Sequence, residues 1–397
     1  MTTTIRLSAT SIGCYKDCPT RYYYRYGLGL VPIEDTESQR VGTNWHRIHE
    51  VADMKPGGVC ECVSVENNKN PNPCVGYTVP KPSNNCALCQ GTGQFPDDPM
   101  DAVVRHLNEA YSTPPISKTV EEWETERVKL LYSLVGYQWY YNDVGYQVEQ
   151  LEQKFSLPLR SPVTGRALQA ELNGKIDRVF AAGANRFVHE YKSTSKNVDP
   201  DSTYWAHLTL DTQTRLYTYA AKQLGLGMCG VLYDAWHKPQ ISPKKLTQAE
   251  SKKFVADGEY CGEKFEVIRG SDGDSGVVVV NHIQAEFESG AKPDTFTIRE
   301  TPEMYGARLL QDITQRPEFY FARREIVHQS NDLEAFEWEL FNIYHSIRQM
   351  GLHNRWWRNE NQCENTFRCP YIDFCYNHLD IGPEEIPDNF RKIGDKI

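Results

Sequence analysis

The 397-residue sequence contains no run approaching about 18 apolar residues, so no membrane-spanning helix is expected. It has no G-x-x-x-x-G-K-S/T phosphate loop, which excludes a helicase-type motor within the chain, and no internal repeats. Its opening, MTTTIRLSATSIG, lacks a basic region followed by an apolar stretch; no secretory signal is expected, and the cytoplasm is the expected location. Positive charge is scarce. The 43 Lys and Arg face 53 Asp and Glu, and the net charge of −10 excludes a histone-like surface that coats DNA by charge alone. It leaves room for a site that uses carboxylates to hold cations.

Cysteine is plentiful, with 12 residues. A chain this long buries a full core without staples, and in a reducing compartment clustered cysteines more often ligate metal than pair. Cys14 and Cys18 lie near the N-terminus, five lie between Cys60 and Cys89, Cys229 and Cys261 stand alone, and Cys363, Cys369 and Cys375 close the chain.

The patterning divides the chain into a helical part over 1–54, a Cys-, Pro- and Gly-rich insertion over 55–100, a helical segment and αβ core over 101–236, a polar insertion over 237–300 and a helical region over 301–397. Within the core, VEQLEQKFSLPL reads as a strand, and ALQAELNGKIDRVFAAGANRFVHEYKS as two strands joined by a turn. A helix is predicted over Tyr204–Leu224, then a strand, CGVLYDAW.

The densest chemistry is in the predicted hairpin. Glu190 and Lys192, two apart on a strand, share a face while Tyr191 points away, and strand pairing brings Asp177 to the same point. Two carboxylates offer the hard oxygen ligands that Mg²⁺ or Mn²⁺ prefers, and a lysine can orient water and offset phosphate charge. This set resembles the PD-(D/E)XK nuclease superfamily. Gln213 and Tyr217, four apart on one helical face, resemble the Q-x-x-x-Y box of its RecB-like members. Gly42, His46 and Glu50 resemble their G-x-x-x-H-x-x-x-E box, and LSATSIGCYKDCPTRYYYRY their opening helix.

The resemblance implies a restriction-endonuclease-like α/β fold, a mixed central sheet flanked by helices. It implies Mg²⁺ or Mn²⁺ held by His46, Asp177, Glu190 and the Tyr191 carbonyl, with Lys192 orienting water and with Gln213 and Tyr217 lining the DNA side. Relatives of the AddB and CRISPR-adaptation type hold a [4Fe–4S] cluster between one N-terminal and three C-terminal cysteines. Cys18, Cys363, Cys369 and Cys375 match those positions, with Cys14 as a substitute for Cys18. Five residues separate Cys363 and Cys369 where two are usual, so a Zn²⁺ site is the alternative.

The 55–100 insertion cannot bury a core of its own, and a Zn²⁺ is expected to order it, held by Cys60 or Cys62 with Cys74, Cys86 and Cys89. Its expected role is contact with DNA or a partner. RYYYRY (21–26) and NRWWRN (354–359) interleave rings and cations as single-strand binders do, although core packing is the simpler account of the first. The resemblance implies a metal-dependent DNA nuclease, an exonuclease before an endonuclease, acting on single strands or DNA ends in recombination, repair or phage DNA processing. It would act in the cytoplasm of a bacterium or of a phage's host, beside a helicase, recombinase or integrase partner. A catalytically silent DNA-binding subunit and an adaptation-type trimming nuclease are the alternatives.

Overall fold

In a computed structural model, residues 4–63, 83–143, 146–183, 185–228, 230–270, 276–292, 294–365 and 368–393 are described. Cys74 and Cys229 lie outside them. The main sheet has six strands: β1 (Ile5–Leu7), β2 (Tyr146–Arg160), β3 (Ala167–Ala182), β4 (Asn185–Thr194), β5 (Gly230–His237) and β6 (Phe321–Ile326). Their order is β1-β3-β4-β5-β6, with β2 also paired to β3. β1 runs parallel to β3 and β4 parallel to β5; the other pairs are antiparallel.

This is the mixed sheet expected, and one detail of its register makes the site. β2 covers one edge of β3 almost throughout. On the other edge, β1 pairs at Ala170–Leu172 and β4 at Arg178–Ala182, leaving residues 173–177 unpaired there. The strands fork at Asp177.

Helices cover both faces. On one, α1 (Ala9–Asp17), α5 (Thr212–Gln223) and α7 (Ser330–His353) bury Ile12, Leu216, Ala220, Phe336 and Leu340 against Leu172, Val188 and Val231. On the other, α2 (Glu37–Ala52), α3 (Pro99–Ala110), α4 (Val120–Tyr141) and α6 (Pro302–Gln315) bury Trp45, Ile48, Leu107, Leu134 and Leu309 against Tyr191, Trp236 and Phe321. Capping boxes start α2 at Thr36 and Gln39 and α4 at Thr119 and Glu122, each satisfying orphan N–H groups. α4 and α6 approach closely at Gly136, where a Cβ would stand 2.6 Å from Ile313.

One expectation is corrected. The single helix over Tyr204–Leu224 is a short turn at Thr203–Ala206, a 3₁₀ segment and then α5, because the Asp211 carboxylate accepts from the N–H groups of Gln213 and Thr214 and starts the helix afresh. The polar 237–300 insertion has a small core of its own, and Val267–Arg269 pairs antiparallel with Val278–Val280. Its helix Gln248–Asp257 and short strands enclose Leu246, Phe254, Val278, Val280, Phe296 and Ile298. Among the described residues no helix is long and apolar enough to cross a membrane.

Candidate metal centre and cysteine sites

The strand fork leaves room between Asp177 on β3 and Glu190 on β4, and α2 brings His46 over it. The three are among the groups whose ligand atoms lie within 4.8 Å of one another. His46 Nδ1 is 2.9 Å from Asp177 Oδ2, and where strand pairing has stopped the Tyr191 N–H donates to the same oxygen at 3.3 Å. Glu190 is fully buried. Gly42, one turn before His46, sits on α2 beside Ser193, whose hydroxyl a Cβ there would meet in ordinary contact at 3.6 Å.

Gln213 ties the set together. Its Nε2 donates to Glu190 Oε1 at 2.7 Å and to the Tyr217 hydroxyl at 3.0 Å, while its Oε1 accepts from Lys192 Nζ at 2.8 Å. The Tyr217 hydroxyl donates in turn to the Lys175 carbonyl, which fixes which way the amide points. Tyr217 is buried and braces Gln213 from within, rather than lining an open DNA side as the resemblance implied. Glu50 turns away and pairs with Arg47. Tyr191 sends its ring through to the opposite face of the sheet, where it stacks on His49.

The two carboxylates differ. Burial pushes Asp177 up, but the His46 imidazole, the Tyr191 N–H and the Lys192 ammonium outweigh it and hold the carboxyl below its ordinary range. Glu190 is driven well above its ordinary range by burial first and by the neighbouring Asp177 second. Its Oε2 is buried and has no hydrogen-bond partner among the described residues. A buried carboxylate oxygen left bare next to a second carboxylate and an imidazole is the donor set a hard divalent cation satisfies.

The cysteines form two different arrangements. Cys60, Cys62, Cys86 and Cys89 converge with their sulfurs within 4.8 Å, and the pairs Cys60–Cys86 and Cys62–Cys89 are 3.7 and 3.5 Å apart. A tetrahedral ion about 2.3 Å from each thiolate spaces them about 3.8 Å apart. Both thiols of the C-x-C pair are therefore placed where they could hold such an ion, where one of the two had been expected; Cys74, also expected as a ligand, lies outside the described residues. Burial raises the Cys89 thiol, but the Gly93 N–H, the Cys62 thiol and the Gly91 N–H bring it down to about 7.

Cys18, Cys363, Cys369 and Cys375 instead line a cavity of about 340 Å³ with Arg21 and Arg358. Among the described residues they are not one of the groups closing to within 4.8 Å. Cys14 is buried in the neighbouring core and does not line the cavity.

What sequence reasoning missed lies behind the sheet. His49, Asp53, Tyr137, Asp143, Arg178 and Tyr191 line a second cavity of about 290 Å³, in contact with the buried His189 and Asp234. The only signal for it was the strand period itself, which sends His189 and Tyr191 away from Glu190. Among curated proteins none matches the chain. A family model does, over residues 6–376, from ahead of α1 to beyond the last cysteine. That span takes in the fork, the buried carboxylate pair and the lysine, and the chain belongs to the PD-(D/E)XK nuclease superfamily.

Proposed function

We propose that the chain is a divalent-metal-dependent deoxyribonuclease that shortens DNA from its ends. Membership of a nuclease superfamily gives phosphodiester hydrolysis as the chemistry. The observation that carries the reading is the bare, buried Oε2 of Glu190 beside Asp177 and His46. Those three residues, with the Tyr191 carbonyl, would hold Mg²⁺ or Mn²⁺. The ion supplies Lewis acidity and charge neutralisation at the scissile phosphate.

The chain's own groups do the rest. Lys192, its side chain 42 % exposed at the mouth of the fork, is aimed by Gln213 toward the carboxylates, where its ammonium can orient an attacking water and balance phosphate charge. Gln213 holds Lys192 and Glu190 in one fixed relation, and Tyr217 fixes Gln213. With no nucleotide motor in the sequence, unwinding belongs to a helicase or recombinase partner.

End-labelled single- and double-stranded DNA, linear and circular, tests this with Mn²⁺. Linear DNA should be shortened progressively and circles left intact. Lys192→Ala should slow cleavage by about 10²-fold or more. Cut circles would make the protein an endonuclease, and no cleavage of any substrate would favour a silent DNA-binding subunit.

The terminal cysteines are assigned to a [4Fe–4S] cluster rather than zinc. Their sulfurs line a cavity too wide for one ion's shell, Arg21 and Arg358 can offset the cluster's negative charge, and the Asn359 N–H points at Cys18 Sγ at 3.5 Å. Zn²⁺ is assigned to Cys60, Cys62, Cys86 and Cys89. Its role is a brace for α2 in place of the DNA or partner contact expected: Cys60, Leu88, Cys89 and Phe95 pack with Trp45, Ile48 and Val51, and Glu61, between the first two thiols, pairs with Arg47 next to His46. About one equivalent of zinc per chain should be found by elemental analysis. Cys89→Ser should lose it and expose the 55–100 segment as the first site of proteolysis. A metal-free wild type with that segment equally protected would remove the assignment.

A further inference from the structure

The residues beside the candidate ligands in the chain face the other way and join one network of hydrogen bonds and ion pairs. On β4, His189 and Tyr191 flank Glu190; on β3, Arg178 follows Asp177. Arg178 Nε donates to His189 Nδ1 at 3.1 Å, so the imidazole carries its proton on Nε2, which lies 2.8 Å from Asp234 Oδ2. Asp234 on β5 also accepts from Arg323 on β6, at 2.7 and 2.8 Å, and from the Tyr137 hydroxyl. Arg323 donates to both oxygens of Asp143, at 2.6 and 3.0 Å, and Arg178 to both oxygens of Asp53, at 3.1 and 3.0 Å. A 3.8 Å contact between Arg178 and Asp143 closes the ring.

The inner half of this ring is buried, with His189 fully inaccessible and Asp234 and Arg178 nearly so, while Asp53, Asp143 and Arg323 are half-buried. Ionic groups there cost more desolvation than a packed leucine would, so stability alone does not account for them. Their location does. Arg178↔His189 is the last backbone pair of β3 and β4 before the strands part, and the next residues toward the fork are Asp177 and Glu190.

We propose that Arg178 and His189 are positioning residues. Their bond pins the root of the fork, and the ring anchors it across four strands, so that Asp177 and Glu190 stand at the separation at which His46 completes the ligand set. This rests on the reading of those three residues as metal ligands.

The test is Mn²⁺ binding without DNA, by calorimetry, on the full-length protein. His189→Leu cuts the ring. His189→Gln keeps it, since the amide oxygen can accept from Arg178 and the amide nitrogen donate to Asp234. The Leu variant should bind Mn²⁺ about tenfold or more weakly and lose kcat with DNA KM little changed, and the Gln variant should stay within about 1.5-fold of wild type on both. A folded Leu variant with wild-type Mn²⁺ affinity and kcat would overturn the proposal. If Leu does not fold, Tyr137→Phe, which removes one donor to Asp234, should weaken Mn²⁺ binding by about threefold, and no change would overturn it equally. A wild type whose Mn²⁺ binding survives Asp177→Asn defeats the ligand assignment itself, and the proposal with it. Binding lost in Asp177→Asn but unaltered in His189→Leu defeats the positioning role alone.

Discussion

Asp177→Asn should abolish cleavage, by more than about 10³-fold, and remove Mn²⁺ binding with it. That figure corresponds to the several kcal/mol by which a cation stabilises transition-state charge. Asn keeps the volume and can still meet the Tyr191 N–H, so the fold should persist. Glu190→Gln should lose cleavage to a similar extent while behaving differently with pH.

In the metal-free protein the Glu190 carboxyl is raised well above its ordinary value by burial and by Asp177. Across the window from the ordinary carboxylate value to that raised value, the folded chain binds a proton that the unfolded chain has released. Stability of the metal-free protein should therefore fall as pH rises through that window. Mn²⁺ displaces the proton, so its affinity should rise over the same range. Asp177 runs the other way: its lowered carboxyl stabilises the fold above the ordinary value, and that share is lost as pH falls toward the lowered value. Melting temperatures followed between about pH 5 and 8, with and without Mn²⁺, test the pair. The metal-free wild type should soften toward alkaline pH and Glu190→Gln should not; parallel curves for the two proteins would remove Glu190 from the account.

Cys18→Ser should bleach the absorbance near about 400 nm that a [4Fe–4S] cluster gives and lower the melting temperature by more than about 10 °C. The size follows from what the cavity joins. Among the described residues Cys18 is the one N-terminal thiol on a cavity wall whose other thiols are Cys363, Cys369 and Cys375. Around it, Tyr24, Leu28 and Leu30 pack with Tyr371, Phe374 and Ile381, and the Thr20 hydroxyl donates to the Trp357 carbonyl at 2.8 Å. Removing one thiolate of the proposed cluster should loosen both ends of the chain. A colourless wild type purified without oxygen and carrying stoichiometric zinc at these residues would contradict the prediction.

The front of the site was legible because its spacings are local. Glu190 and Lys192 are two apart on a strand, and Gln213 and Tyr217 four apart on a helix, so their relative placement follows from backbone periods. His46 was legible only through its distance from Gly42. The ring behind the sheet was not. Asp53, Asp143, Arg178, His189, Asp234 and Arg323 come from six separate stretches of chain, and each alone resembles a solvated charge. Nor could spacing alone choose among the five cysteines of the insertion, since the choice depends on how the Asn84–Gln94 turn folds back on Cys60 and Cys62. The break before α5 was readable in principle, because Asp211 is a strong cap, but the apolar periodicity of Tyr204–Leu224 ran straight across it.

The meeting of the two chain ends bears on the order of folding. The Tyr371 hydroxyl donates to the Leu30 carbonyl at 2.6 Å across 341 positions of sequence, and Leu30–Pro32 pairs as a strand with Phe390–Lys392. Contacts of such separation form late, because a long loop must close before they return any free energy. During synthesis the sheet and its carboxylate pair can assemble while the partner segment is still unmade. A ribosome-bound chain halted before residue 360 should therefore already protect β3–β5 from protease, and the segment from Tyr24 to Pro32 should stay open until the final stretch emerges.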